Sequence, residues 1–331
     1  MTRASGATGK VNSFFPTSPC VPECLPLPAP DAGLARMRRV VRTTGRLTAL
    51  VGTLLLGAGL AFLAPVLGPC RVGRLQAVWS GWLLAAAGVR VVVTGPRPRP
   101  GSLVVANHVS WLDVLALNRV VGVRMLAKAE VRDWPLVGPM AARAGTVFLD
   151  RDRLRALPGA VAAVAGELRD GACIGVFPEG TTRCGRDLGR FRPAAFQAAL
   201  DAGAPVVPVA LSYADADDAP DAAAAFVGDD TLLASLIRVA AAPRTVLTVR
   251  VLPVQVPVPA AVGDSRARPR REAARRAATA IRSALPDATS DARPRPAVHA
   301  DQVPARPVPA PPLVTVAASG DRDAEEVTRV A

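Results

Sequence analysis

The chain has 331 residues, half of them hydrophobic, and a formal net charge of +13 at pH 7. This length allows one or two domains. The basic residues are almost all arginine, with lysine only at Lys10 and Lys128. One tyrosine, few other aromatic side chains and no recognisable binding module argue against a nucleic-acid-binding protein. The charge fits either a compositional bias toward arginine or attraction to anionic lipid surfaces.

The N-terminal segment, residues 1–34, is rich in Pro, Ser and Gly and lacks hydrophobic periodicity, so it is predicted to be disordered. It contains Cys20 and Cys24, two of the five cysteines of the chain. Without histidine partners or a second cysteine pair, these two are predicted to make a poor zinc site. No metal is therefore expected, and the cysteine usage favours a reducing, cytosol-facing enzyme.

An uncharged apolar stretch at residues 47–67 follows. As a helix with a rise of about 1.5 Å per residue it would be about 31 Å long, close to the ~30 Å thickness of bilayer hydrocarbon. It is predicted to be a membrane segment, with a buried helix of a soluble protein as the alternative. A cleaved signal peptide is not expected, because more than forty residues precede the stretch.

Basic residues flank this stretch on both sides, five arginines between residues 36 and 46 and then Arg71 and Arg74. The positive-inside rule therefore favours the cytoplasm for both ends. The next stretch, 75–89, is apolar but short for a span. It carries two tryptophans, which favour membrane interfaces. Residues 35–89 are thus predicted to be membrane-anchoring helices, a re-entrant or interfacial pair, with a transmembrane hairpin as the alternative. The following domain would face the cytoplasm at the cell membrane.

Apolar runs and helical patterns alternate through residues 90–256. This alternation predicts an α/β domain with a mainly parallel sheet flanked by helices. Residues 257–331, rich in Pro, Arg and Ala, are predicted to be a tail with a possible basic helix at 271–285. The predicted strands are 89–95, 102–106, 122–127, 145–150, 172–177, 205–213 and 245–252, and the predicted helices are 111–119, 132–143, 153–169, 193–202 and 231–241.

The most informative motif is NHVSWLD at 107–113, which lies between a predicted strand and a predicted helix. It places His108 five residues before Asp113. A carboxylate there can hold one ring nitrogen of the imidazole and leave the other free to take a proton. The only other histidine, His299, lies in the C-terminal tail. Any histidine chemistry in the folded part is therefore expected at His108.

Three further blocks follow predicted strands or contain one. GTVFLDR at 145–151 ends in Arg151, and FPEGTTR at 177–183 contains Glu179, Gly180 and Arg183. Gly180 allows a tight turn, and an arginine can bind an anion through two hydrogen bonds. The last block is APVVPVALSY at 204–213.

These four blocks, in this order and spacing, resemble those of the glycerolipid acyltransferases that make phosphatidic acid from lysophosphatidic acid. The resemblance covers roughly residues 75–256. NHVSWLD is similar to the family's His-x4-Asp block, and GTVFLDR to the block whose arginine binds the acceptor phosphate. FPEGTTR and VVPVAL are similar to the third and fourth blocks. The chain departs from the family at Ala194, where a glycine is common, and in having two threonines before Arg183.

The resemblance implies transfer of an acyl chain from acyl-CoA or acyl carrier protein to the hydroxyl of lysophosphatidic acid, without a cofactor. His108 would be the general base and Asp113 would orient it, while backbone N–H groups near the turn would hold the oxyanion. The acceptor site would comprise Arg151, Arg183, Lys128, Glu179 and Gly180. The alternatives are another lyso-lipid acceptor such as a lyso-ornithine lipid or lysophospholipid, a membrane lipid hydrolase, or a non-catalytic membrane scaffold.

Overall fold

The computed structural model describes most of the chain between residues 18 and 286. Arg151 and most of the C-terminal tail lie outside the described residues, and of Lys128 only the backbone is described. The described ranges are 18–26, 32–67, 69–134, 137–143, 145–149, 157–228, 230–259, 265 and 267–286.

One seven-stranded sheet forms the centre of the fold, with the strand order β1-β7-β6-β2-β5-β3-β4. Five neighbouring strands of this sheet run parallel to one another, namely β6, β2, β5, β3 and β4. β7 is antiparallel to β6, and β1 is parallel to β7. The prediction of a mainly parallel sheet is therefore confirmed. The strands are β1 Val89–Thr94, β2 Leu103–Ala106, β3 Arg124–Lys128, β4 Val147–Leu149, β5 Ile174–Val176, β6 Val206–Ala214 and β7 Thr245–Val251.

Helices cover both faces of the sheet, as the predicted α/β fold requires. Strand β2 shows this directly, because its side chains alternate between two hydrophobic clusters. Val104 and Ala106 belong to the cluster that contains residues of α1, α2, α3 and α7, and Leu103 and Val105 to the cluster with α5, α6 and α8. The helices are α1 Gly33–Leu67, α2 Pro69–Ala86, α3 Leu112–Val121, α4 Val137–Arg143, α5 Leu157–Arg169, α6 Ala194–Ala202, α7 Leu232–Ala241 and α8 Ala267–Ala284.

The last helix, α8, belongs to the packed domain. Its buried side chains are Ala273, Ala274, Ala277, Ala278 and Ile281, which recur at the spacing of one helical face and join the cluster of α5 and α6. The sequence placed a possible basic helix at 271–285, and the observed helix begins four residues earlier. The boundary predicted at residue 256 therefore lies before the last helix that packs on the sheet.

Part of the N-terminal segment is ordered against the domain. Pro22–Cys24 form a 3-10 turn, and Cys20 is buried in the hydrophobic cluster of α1–α3. The Ser18 hydroxyl donates a hydrogen bond of 2.9 Å to the carbonyl of Thr182. The prediction of disorder is thus wrong for residues 18–26. The residues that order this segment lie about 160 positions later in the chain, so its own composition does not reveal them.

The long helix α1 is a candidate membrane anchor. Its stretch from Gly33 to Ala61 is long and apolar enough to cross a membrane, and few of its side chains are buried in the protein. Large hydrophobic side chains point outward from α1 and α2, as expected of surfaces that meet lipid rather than water. They are Leu34, Met37, Val40, Val41, Val51, Leu55 and Leu56 on α1 and Val78 and Trp82 on α2.

The anchor helices nevertheless share a core with the domain. Leu50 of α1 and Leu83 and Leu84 of α2 are buried in the same cluster as Leu112 and Leu117 of α3. The two anchor helices are also joined by a hydrogen bond of 2.7 Å from the Trp79 indole to the carbonyl of Thr53. Residues 35–89 therefore do not form a separate unit linked to the domain by a flexible tether.

Two arginines of the basic flank dock α1 on α7. Arg42 Nη2 donates to the carbonyl of Ala241 at 2.7 Å, and Arg46 Nη1 donates to that of Ala242 at 2.6 Å. These carbonyls lie at the C-terminal end of α7, where unpaired acceptors and the helix dipole favour a positive charge. Arg42 and Arg46 thus fasten α1 to the domain.

Replacing Leu84 with alanine should lower the free energy of unfolding by about 2–5 kcal/mol, because the side chain is only 1% exposed and its loss would leave a cavity. Leu55→Ala is the matched control, since Leu55 is 59% exposed on α1 and its truncation creates no cavity inside the protein. Denaturant titration in detergent micelles measures both changes. Equal losses in the two variants would contradict a shared core.

Candidate active site

The candidate site lies where β2 and β5 end. These strands are parallel neighbours, with Leu103 paired with Ile174. The turn after β2 contains His108, and the loop after β5 contains Glu179 and Arg183. Because the carboxyl ends of parallel strands lie at one edge of a sheet, the two segments meet there. Gly180 lies in the same loop, and Asp113 lies at the start of α3. The structure thus brings together five of the seven predicted site residues.

His108 and Asp113 form a hydrogen-bonded pair. The distance between His108 Nδ1 and Asp113 Oδ2 is 3.0 Å, and the Asp113 side chain is fully buried. A carboxylate partner assigns the proton to Nδ1, so Nε2 carries the lone pair. Within the described part of the chain no group makes a hydrogen bond to Nε2. The imidazole keeps 19% exposure, so a reactant at the sheet edge can reach it.

Four donors converge on Asp113. Besides the imidazole, Oδ2 accepts hydrogen bonds from the backbone N–H groups of Val109 at 2.7 Å and Ser110 at 2.8 Å. Oδ1 accepts from the hydroxyl of Tyr213 at 2.5 Å. Four hydrogen bonds hold this buried carboxylate in one orientation. Asp113 therefore fixes the turn and the imidazole at the same time.

The amide groups of the turn are occupied. Those of Val109 and Ser110 donate to Asp113, and that of His108 donates to Glu179 Oε1 at 2.9 Å. The expectation that N–H groups near this turn hold a developing oxyanion is therefore wrong for these three residues. All three N–H groups donate to the buried carboxylates of Asp113 and Glu179. No local sequence pattern predicts these hydrogen bonds.

Tyr213 is a site residue that the sequence interpretation missed. It lies buried on β6, one hundred positions after the carboxylate that it binds. Burial, and then the negative charge of Asp113, raise the pKa of Tyr213 well above its ordinary value, so the hydroxyl remains a donor. The available signal was its place in the fourth block: a buried tyrosine in an apolar strand requires a polar partner.

Tyr213→Phe should lower kcat by about 3- to 10-fold and leave KM for the acceptor unchanged. The variant loses one hydrogen bond to Asp113, worth about 0.5–1.5 kcal/mol, and keeps the ring that packs in the core. Steady-state kinetics of the folded variant measures the two constants separately. A rise in KM without a change in kcat would show that Tyr213 acts on acceptor binding instead.

Two further contacts hold the histidine. The imidazole stacks on the ring of Phe177, with centroids 3.8 Å apart and planes inclined by 4°. The side-chain amide of Asn107 joins the turn to β6, donating to the carbonyl of Leu211 at 2.9 Å and accepting from its N–H at 2.8 Å. The orientation of His108 is thus set from three sides, by α3, β5 and β6.

Glu179 is directed into the protein. Its Oε1 accepts from the N–H of His108, and its Oε2 accepts from that of Gly189 at 2.7 Å and lies 3.2 Å from Arg183 Nε. Burial raises the pKa of the Glu179 carboxyl, while these donors and the guanidinium favour its ionised form. The position of the carboxylate suits it to hold the loop and Arg183 in place. Its predicted part in acceptor binding stays a prediction.

Glycines shape this loop at two points. Gly180 has a positive φ of 79°, and its N–H closes a turn on the carbonyl of Phe177 at 3.1 Å. Gly189, which the sequence interpretation missed, has no room for a side chain. A Cβ atom there would lie 2.4 Å from Arg183 Nε and 2.6 Å from Glu179 Oε2. The backbone must come this close for the Gly189 N–H to reach the Glu179 carboxylate.

Arg183 lies beside the histidine turn, where its backbone N–H donates to the carbonyl of His108 at 2.8 Å. Its guanidinium pairs with Glu179 through Nε and with Asp187 through Nη1, at 2.8 Å from Asp187 Oδ2. Asp187 is 61% exposed, so an incoming phosphate could replace it. The predicted role of Arg183 in phosphate binding stays a prediction.

Two predicted site residues cannot be located through their side chains. Lys128 ends β3 and pairs with Leu149, the last residue of β4, so its backbone lies at the same edge as His108. Arg151 follows Leu149 by two positions and lies outside the described residues. Their predicted roles in phosphate binding stay predictions.

Known proteins resemble this chain in sequence and fold. A family model described as Acyltransferase matches residues 90–212. A lyso-ornithine lipid O-acyltransferase of Pseudomonas aeruginosa is 38% identical over 264 residues, covering 76% of this chain and 95% of the relative. A 1-acyl-sn-glycerol-3-phosphate acyltransferase of Neisseria gonorrhoeae is 41% identical over 152 residues, covering 45% of this chain and 60% of the relative.

The fold also matches a solved structure. The crystal structure of the 1-acyl-sn-glycerophosphate acyltransferase PlsC from Thermotoga maritima superposes with a TM-score of 0.54 at 20% identity. The match covers 76% of this chain and 96% of that protein, and so includes helices outside the sheet. At this identity the likeness concerns the fold.

Proposed function

The chain belongs to the acyltransferase family, and we propose from this premise that it acylates the free hydroxyl of 1-acyl-glycerol-3-phosphate to give phosphatidic acid. Lyso-lipid acyltransferase activity is common to the named relatives. The acceptor and the thioester donor, acyl-CoA or acyl carrier protein, are the specific parts of the proposal.

One observation carries the mechanism: the buried Asp113 binds His108 through Nδ1, and the imidazole stays partly exposed with Nε2 unbonded among the described residues. His108 takes the proton of the acceptor hydroxyl as its oxygen attacks the thioester carbonyl. Asp113 stabilises the imidazolium that forms. When the tetrahedral intermediate collapses, the C–S bond breaks and the leaving thiolate takes the proton from His108. The new ester bond remains on the acceptor.

No residue of the protein needs to act as the nucleophile in this scheme. Ser110 follows His108 by two residues, but its side chain is fully buried and accepts a hydrogen bond of 3.3 Å from the N–H of Leu112. A hydroxyl held inside the turn does not present itself to a thioester at the sheet edge. Direct attack by the acceptor is therefore the favoured route.

Positive charge near the histidine supports an anionic acceptor. The ten residues from Arg183 to Arg192 contain four arginines and one aspartate. Lys128 ends β3 at the same edge, and Arg151 comes two positions after the end of β4 in the sequence. A phosphate is an oxygen-rich anion that guanidinium groups bind through paired hydrogen bonds. Such a cluster suits a phosphomonoester acceptor, and it also suits the phosphates of a carrier-bound donor.

A lyso-ornithine lipid is the second candidate acceptor. The relative from Pseudomonas aeruginosa with that named activity matches this chain over 95% of its own length, whereas the 1-acyl-sn-glycerol-3-phosphate acyltransferase from Neisseria gonorrhoeae matches over 60%. The longer match extends the similarity beyond the catalytic blocks. The two acceptors differ chemically in the phosphomonoester group, which only lysophosphatidic acid carries.

Membrane association and orientation form part of the proposal. The apolar faces of α1 and α2 would place the site at the surface where lyso-lipid acceptors reside. The arginines on both flanks of the apolar stretch favour a cytoplasmic catalytic domain, where acyl-CoA and acyl carrier protein are found. A peripheral hairpin and a transmembrane hairpin both satisfy this arrangement.

The test uses purified full-length protein in mixed micelles with a labelled acyl thioester. Lysophosphatidic acid, a lyso-ornithine lipid and a lysophospholipid are supplied separately, and one reaction receives no acceptor. Phosphatidic acid as the dominant product is expected. Preferential acylation of lyso-ornithine lipid would establish the second candidate, free fatty acid in every reaction would indicate a hydrolase, and no turnover would favour a scaffold.

A further inference from the structure

Three cysteine side chains from two distant segments of the chain meet at the active-site loop. Cys20 and Cys24 belong to the ordered N-terminal segment, and Cys184 directly follows Arg183. Their sulfur atoms all lie within 4.8 Å of one another. Cys20 and Cys184 are buried, Cys24 is half-buried, and none of the three forms a disulfide.

The backbone brings these thiols to one place. The N–H of Cys24 bonds to the carbonyl of Val21 at 2.9 Å, which closes the 3-10 turn and returns Cys24 toward Cys20. The N–H of Cys184 donates to Cys20 Sγ at 3.2 Å. A hydrogen bond from Ser18 to Thr182 also joins the two segments. Ser18 lies two residues before Cys20, and Thr182 lies two residues before Cys184. The arrangement therefore rests on contacts on both sides of the cluster.

The geometry points to a metal site, and we propose that Cys20, Cys24 and Cys184 bind one Zn²⁺ ion through their thiolates. A tetrahedral zinc site has Zn–S distances of about 2.3 Å, which places neighbouring sulfur atoms about 3.8 Å apart. Sulfur atoms within 4.8 Å need only small side-chain movements to reach that spacing. A disulfide would use two of the thiols and leave the third without a role.

Water completes the coordination in this proposal. Among the described residues the group contains three ligands, with no fourth His, Cys, Asp or Glu. Three thiolates and one Zn²⁺ carry a net charge of −1, which Arg186, two residues after Cys184, would offset. The expectation of no metal rested on the lack of partners near Cys20 and Cys24 in the sequence. The fold supplies Cys184, 160 positions later.

The proposed ion would fasten the N-terminal segment to the active-site loop. Cys184 lies next to Arg183, whose backbone N–H holds the carbonyl of His108. The ion would thus fix part of the loop that contains Glu179 and Arg183. Its role would be structural, and metal binding there would stabilise the folded protein.

The test measures zinc in the full-length protein, expressed in zinc-supplemented medium and purified in detergent without chelators or thiol reductants. About one zinc per chain is expected for the wild type. Cys20→Ser, Cys24→Ser and Cys184→Ser should each lose most of it. Cys173→Ser is the matched control, because Cys173 is half-buried, lies outside the cluster and bonds to the carbonyl of Arg99 at 3.2 Å. This variant should keep its zinc.

Two further measurements keep the test decisive if a serine variant fails to fold. Cys24→His retains a zinc ligand, so it should bind zinc where Cys24→Ser does not. Cobalt added to the demetallated wild type should produce a thiolate-to-cobalt absorption that Cys173→Ser also shows. A zinc-free wild type that gives no such absorption, a disulfide between two of the three cysteines, or equal zinc loss in Cys173→Ser would each overturn the proposal. Metal content is independent of the acyl acceptor, so these outcomes leave the proposed function untouched.

Discussion

His108→Ala is expected to lower kcat of acyl transfer by about 10²- to 10⁴-fold, the usual cost of losing a general base. The substitution removes the acceptor of the hydroxyl proton and leaves Asp113 with its three other donors. The imidazole is partly exposed and stacks on one ring, so its loss should leave the fold intact. Transfer of a labelled acyl chain measures the rate, and circular dichroism verifies the fold.

Asp113→Asn is the informative companion variant. An asparagine can keep its oxygen toward the imidazole and the two backbone amides if its NH₂ group faces Tyr213, whose hydroxyl can turn and accept. The fold should survive, while the imidazolium loses its counter-charge. A weak residual rate above that of His108→Ala is expected. Near-normal turnover by a folded His108→Ala protein would end the proposed mechanism.

Arg151→Ala should lower kcat/KM for lysophosphatidic acid by about 10- to 150-fold, mainly through KM, because a charge-assisted hydrogen bond contributes roughly 1.5–3 kcal/mol. The same substitution should matter much less for a lyso-ornithine lipid, which offers no phosphomonoester to a guanidinium. The measurement is kcat/KM of both proteins with both acceptors.

Arg151→Lys serves as the control for charge alone. Lysine keeps the positive charge but cannot form the paired, planar contact of a guanidinium with a phosphate, so it should recover only part of the loss. Equal losses on the two acceptors would assign Arg151 a structural part. The phosphate-site assignment should then be abandoned.

The sheet could be predicted from the sequence because its central strands are buried on both faces. Leu103 to Ala106 of β2 are all fully buried, and such strands appear in the sequence as unbroken apolar runs. The helices between them were recognisable for the related reason that each buries one stripe of side chains. Local patterns of this kind determine which element forms, and they place His108 at the end of a strand.

The hydrogen bonds inside the site could not be predicted in the same way. Tyr213 meets Asp113 across one hundred residues, and Gly189 meets Glu179 because the loop folds back on itself. Nothing in the local composition marks either partner. The burial of Cys20 and the packing of α2 in the domain core could not be predicted for the same reason. Both depend on surfaces that only the folded domain provides.

The docking of α1 on α7 through Arg42 and Arg46 has a consequence for how substrate is found. The helix is 35 residues long, about 52 Å, and the residues after Arg46 alone would cover about 31 Å. In the proposed membrane association, the exposed apolar side chains of α1 meet the lipid, while Leu50 and the two arginines fasten the helix to the domain. The catalytic edge then stays at a constant height above the lipid. Encounters with an acceptor are then collisions in two dimensions, governed by lateral diffusion. The relevant substrate concentration is the mole fraction of lyso-lipid in the leaflet, and dilution with inert lipid should slow the enzyme even at constant bulk concentration.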